Sequence, residues 1–136
     1  MAAEHTYDYA IIRVVPRVER GEMVNVGVIV SCPAVDFLES AIEIDDATLL
    51  ALDPSLDLDA VQTNLATIPV ICRGGAEAGP IGALPQRQRF RWLVSPRSTM
   101  IQMSPVHTGR TADPAAALAH LMKVMVRRPP ATRRPA

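Results

Sequence analysis

The chain has 136 residues, no net formal charge at pH 7, 49% hydrophobic residues and 21% charged ones. That length makes one domain with a real core, and the even charge balance argues against double-stranded nucleic acid, whose binding needs a lysine- and arginine-rich surface. No apolar run approaches the roughly 18 residues of a membrane helix, and the start, M-A-A-E-H-T-Y-D, lacks the apolar region of a secretory signal, so a cytoplasmic protein without a membrane partner is expected.

Residues 1–6 read as a loose lead-in. Tyr7 to Val15 alternates as a strand, with Ala10, Ile12 and Val14 on one face and Arg13 on the other. In the second strand Val24, Val26, Val28, Val30 and Cys32 are expected to share one buried face. Antiparallel pairing that keeps even positions together puts Arg13 opposite Asn25. Between the strands Arg17, Glu19, Arg20 and Glu22 surround Gly21 in a charged turn. Such a turn is a binding loop or a solvated tip whose ion pairs are worth about 0–1 kcal/mol each.

Phe37 to Ile44 reads as a third strand, placing Glu39 and Glu43 on the face of Arg13 and Asn25. Asp45 or Asp46 caps a short helix stopped by Pro54. Asp57 caps a longer one with Leu58, Val61, Leu65 and Ile68 at helical spacing, which Pro69 is expected to kink or end. Gly74 to Pro85 is glycine-rich and reads as a flexible connection, with no G-K-[ST] to make it a P-loop. A short helix over Gln86 to Val94, a fourth strand over Ser98 to Met103, and a turn at S-P-V-H-T-G follow. Asp113-Pro114 opens the last helix, with Leu118, Leu121, Met122 and Met125 expected in the core. The expected fold is a single α+β domain over 1–128, an antiparallel sheet of about four strands with helices packed on its valine face, and a disordered basic tail at 129–136. Cys32 and Cys72 suit buried free thiols.

Charge is unevenly spread. Asp36 to Asp59 holds eight acids and no base, while Ala78 to Ala112 holds five arginines and no acid. The two blocks either neutralise one another or the basic one faces an anion. One lysine against thirteen arginines points to a genomic composition bias, which weakens arginine as a functional signal.

P-R-V-E-R-G-E-M-V-N-V-G-V-I-V, together with R-F-R-W-L-V-S-P-R-S-T-M-I-Q-M-S-P-V-H-T-G, resembles the bacterial family called domain of unknown function 3037. The resemblance spans about Tyr7 to Arg128. It implies no assigned activity, and it implies a protein partner with a HipA-like kinase fold, whose gene often adjoins those of this family.

From the residues themselves, Arg13, Arg17, Arg20 and Asn25 of the hairpin and Arg97, Ser98, Gln102, Ser104 and His107 of the later motif form a donor set for an anion. The supposition is that the hairpin tip and the S-P-V-H-T-G bend meet around one pocket. Two functions fit. One is a non-enzymatic binding or regulatory module for a phosphate-bearing ligand or an acidic partner. The other is a small hydrolase of a phosphate ester or nucleotide, with His107 as acid or base and Glu22 or Glu19 opposite it. No metal or cofactor is implied, since His5, His107 and His120 lack ligand spacing. A small exposed sheet face would also suit a homodimer.

Overall fold

A computed structural model describes residues 3–97 and 99–128. The tail at 129–136 and the candidate Ser98 lie outside the described residues. Strands β1 (His5–Val14) and β2 (Val24–Cys32) form the expected hairpin, and β3 (Phe37–Ile42) follows a 3-10 turn at Pro33–Val35. Strands β4 (Ile101–Met103) and β5 (His107–Thr111) both pair with β1. The sheet is antiparallel and has five strands, in the order β3-β2-β1, with β4 and β5 sharing the outer edge of β1. Four helices complete an α+β fold: α1 (Asp46–Leu52), α2 (Leu58–Arg73), α3 (Gln86–Val94) and α4 (Pro114–Leu121), the last running into a π turn at Met122–Val126.

The hairpin register changes within β2. Asp8 to Ile12 pair with Ser31 to Gly27, but Arg13 then faces Asn25 and Val14 faces Val24, leaving Val26 as the extra residue of a β-bulge. The bulge overturns the expectation that every even residue from Val24 to Cys32 shares a face. Val26 packs with Ile12, Val14 and Ile29 against α2 and α3. Val28 and Val30 turn the other way, onto Leu118, Leu121 and Met122. Helices α1 to α3 therefore occupy one face as expected, while α4 lies on the opposite face. Val26 to Cys32 are all buried. Gly27 is required at the crowded bulge, where a Cβ would come within 2.5 Å of the Ala41 carbonyl oxygen.

The edge strand is also interrupted. β4 pairs with Ile12–Val14 and β5 with His5–Tyr9, so the two are halves of one strand broken at Ser104–Val106. Ser104 bridges the break: its N–H donates to the Ile11 carbonyl at 2.9 Å and its hydroxyl oxygen accepts from the Ile11 N–H at 2.8 Å. Part of the expected S-P-V-H-T-G turn is thus strand, and the expected lead-in becomes strand from His5 because β5 supplies it with a partner.

The helix starts follow their carboxylates. Asp45 accepts from the Thr48 N–H, Asp57 from that of Ala60, and Asp113 from those of Ala115 and Ala116. Pro69 sits inside α2 and does not end it. A proline there costs about 3 kcal/mol, but Ile68 and Ile71 on either side of it are buried, and burying an isoleucine side chain contributes roughly 1.5–3 kcal/mol. The carbonyls at the α2 end are taken up by Arg89, which reaches Ile71 at 3.0 Å and Cys72 at 3.3 Å. Met122 is buried as expected; Met125 is not, being 38% exposed on the π turn.

Candidate functional site

A polar row crosses the α4 side of the sheet near its hairpin end. Arg13 of β1 faces Asn25 of β2 and Gln102 of β4 in register. Its Nε donates to the Asn25 Oδ1 at 3.2 Å, and the Asn25 amide donates in turn to the Met125 carbonyl at 3.0 Å. Asn25 thereby orients the guanidinium and ties it to the π turn. The Arg13 amino groups have no carboxylate partner among the described residues. Glu43 ends the row, paired by both oxygens with Arg127, whose hydrogen bonds and charge hold the Glu43 carboxyl below its ordinary value. A depression of about 350 Å³ beside it is lined by Asn25, Glu43, Asp45, Arg127 and Arg128 among others.

Farther along the same face lies an aromatic row. Tyr7, Tyr9 and Arg13 are all odd positions of β1, which has no bulge of its own, so they point the same way. His107 faces Tyr9 in register, with ring centroids 5.3 Å apart, and Tyr9 stacks beside Tyr7 at 6.0 Å. Gly109 lies beneath Tyr7: a Cβ there would come within 2.9 Å of the ring. Four of the expected site residues, Arg13, Asn25, Gln102 and His107, therefore share one sheet face. The arginine end and the aromatic end are about 13 Å apart, four residues of strand.

The other candidates stand apart from this face, committed locally. Arg17 at the hairpin tip bonds Asp53 at 3.4 Å and lies 3.8 Å from Glu19. Asp53, the end cap of α1, has its carboxyl held low first by the Ser55 hydroxyl and N–H and then by Arg17. Arg20 pairs with Glu22. Arg97 donates to the carbonyls of Trp92 and Leu93 at the end of α3, its guanidinium 4.3 Å from the Trp92 ring centroid. The supposed meeting of hairpin tip and S-P-V-H-T-G bend does not occur: Ser104 sits at Ile11 and His107 at Tyr9, while Arg17 follows the far end of β1, a separation on the order of 20 Å along the strand. Glu22, at that tip, is likewise remote from His107, whereas acid–base work needs both groups within about 3 Å of the substrate atoms. Among the described residues no group of three or more His, Cys, Asp and Glu side chains is placed to hold a metal ion, and no helix is long and apolar enough to cross a membrane.

A second polar network, not anticipated from the residues, lies on the opposite face. Arg87 of α3 pairs with Asp8 and donates to the Ser31 hydroxyl at 2.9 Å, while Thr108 donates to Asp8 at 2.6 Å. Four of the five arginines of the basic block are thus engaged, on Asp8, on Glu4 through Arg110 and on helix-end carbonyls, while Arg91 is exposed. Of the acidic stretch, Asp53 and Glu43 pair with cations, Arg17 and Arg127. Asp8, at an even position of β1 beside Tyr7 and Tyr9, carries no motif that marks it.

The family model described as Protein of unknown function (DUF3037) matches residues 9–126. The chain belongs to this family. The match runs from Tyr9 in β1 to Val126 at the end of the π turn, so the part shared with the family takes in Arg13, Asn25, Gln102 and His107 and stops short of Tyr7. No curated protein matches the chain, and no solved structure does.

Proposed function

We propose that this DUF3037 protein is a non-enzymatic binding module that offers the open half of its α4-side sheet face to a phosphate-bearing or acidic partner. The observation that carries this reading is the state of Arg13. The other two hairpin arginines hold carboxylates, whereas Arg13 is held through its Nε by Asn25, its amino groups having no carboxylate partner among the described residues; Gln102, opposite it in register, donates its own amide to the Thr99 carbonyl. A guanidinium held in one orientation has already lost part of the freedom that binding would otherwise cost, and its planar donors match phosphate or carboxylate oxygens. The hydrolase reading has less support, because His107 rests on Tyr9 and its proposed counterpart Glu22 serves Arg20. Buried Cys32 and Cys72, both free thiols, fit action in the cytoplasm. The protein partner we propose for the module is the HipA-like kinase suggested by the family resemblance.

Titration with inorganic pyrophosphate, followed by thermal melting and backbone amide NMR, tests the reading. At a hundredfold excess over Kd a single site adds about 2.7 kcal/mol, a readily measured rise. Amides around Arg13 and Gln102 should shift. Arg13→Gln should abolish the rise and Arg17→Ala should keep it. A wild-type protein indifferent to pyrophosphate rejects the proposal.

A further inference from the structure

We infer that the face carrying Arg13 takes a nucleoside polyphosphate, its base on the Tyr9–His107 rings and its phosphates at Arg13. The inference rests on the anion-binding reading above and adds the chemical class of the ligand. His107, Tyr9 and Tyr7 tile neighbouring positions of β5 and β1, with centroid spacings of 5.3 and 6.0 Å and interplanar angles of 34° and 29°. Tyr7 lies flat across Gly109, the residue facing it in β5. A ring resting on glycine turns its other side outward. His107 is exposed, and the two tyrosines are partly so, packed against the cluster of Val28, Val30 and α4. Such rings give a planar base a stacking platform without demanding a particular base.

The two ends of the face then select the ligand together. Aromatic shelf and Arg13 are about 13 Å apart along β1. An acidic peptide would satisfy Arg13 and leave the rings unused. Phosphotyrosine carries its phosphate directly on its ring and cannot bridge the gap. A base joined through ribose to two or three phosphates extends that far, and the Arg13 amino groups meet the terminal phosphates in planar, paired fashion. Asn25 is a positioning residue here, acting through its bond to Arg13 Nε. No covalent step is involved.

The test is calorimetric titration of the full chain with ATP, adenosine, inorganic tripolyphosphate and a short single-stranded oligonucleotide. ATP is expected to bind at least tenfold more tightly than adenosine or tripolyphosphate. His107→Ala, an exposed change that leaves the core intact, should weaken ATP about tenfold by loss of stacking and weaken tripolyphosphate much less. Arg13→Gln should weaken both. Tripolyphosphate binding as tightly as ATP, with equal sensitivity to His107→Ala, overturns the nucleotide assignment and leaves the anion site standing. An oligonucleotide that binds more tightly than ATP overturns the choice of a free nucleotide. Binding of none of the four removes this inference and the anion-binding reading together.

Discussion

Ser104→Ala probes the seam of the edge strand. The Ser104 hydroxyl oxygen accepts the Ile11 N–H at 2.8 Å and its proton goes to the Pro105 carbonyl at 2.9 Å; Ser104 is 3% exposed and Ile11 7%. In the variant the backbone bond from the Ser104 N–H to the Ile11 carbonyl survives, but the Ile11 N–H is stranded with no ladder carbonyl opposite it and little access to water. An unsatisfied buried donor costs about 1–3 kcal/mol. At the middle of that range, a domain of this size loses roughly 5–10 °C in Tm. Urea unfolding should show a lower midpoint with an unchanged slope, and the Ile11 amide should exchange faster with solvent. Ser95→Ala is the control, because its hydroxyl bonds the Arg91 carbonyl on the exposed surface. A loss below about 0.5 kcal/mol, the ordinary range for surface changes, together with an Ile11 amide as protected as before, would refute the idea that Ser104 replaces a ladder carbonyl.

Other outcomes follow from the same contacts. Gly27→Ala forces a methyl to within 2.5 Å of the Ala41 carbonyl oxygen, and overpacking against backbone should cost about 1–3 kcal/mol in denaturant unfolding. Burial on its own would raise the Asp8 carboxyl, but hydrogen bonds from Thr108 and Arg87 and the Arg87 charge outweigh it and hold the group below its ordinary 3.8. Its contribution is therefore present above that value and lost as pH falls through the lower folded value, so Asp8→Asn should lose less stability than wild type on acidification below about pH 4. Burial pushes the Cys72 thiol up to about 11. Neither it nor the fully buried Cys32 should react with a thiol reagent at pH 8 until urea unfolds the chain; prompt labelling of Cys72 in the native protein would contradict the packing of α2 on the sheet.

Much of the frame was legible because it is local. Caps at Asp45, Asp57 and Asp113 act within three residues, and the Arg13–Asn25 pair follows from a short hairpin and strand alternation. The bulge at Val26 was hidden because helices cover both faces of β2: the valines change face across it and stay buried on either side, so their spacing in the sequence shows no break. Strand β5 was hidden for the opposite reason. H-T-G-R-T has no apolar alternation and becomes strand by bonding to β1 across more than ninety residues of chain. The site was half legible. Alternation places Arg13, Asn25 and the β1 tyrosines on a common face, but which cations are already engaged depends on Asp53, Glu22 and the helix-end carbonyls, partners that residue types alone do not pair.

The gap that Pro105 opens in the outermost strand has a consequence for how the molecule keeps company. Sheets grow by recruiting further chains onto a long, straight rim of unsatisfied amides. Here that rim is cut into two short pieces, set one residue out of phase, with an imino acid that has no hydrogen to donate lying between them. A neighbour docking on one piece cannot continue onto the other, which makes this border a poor template for fibrils.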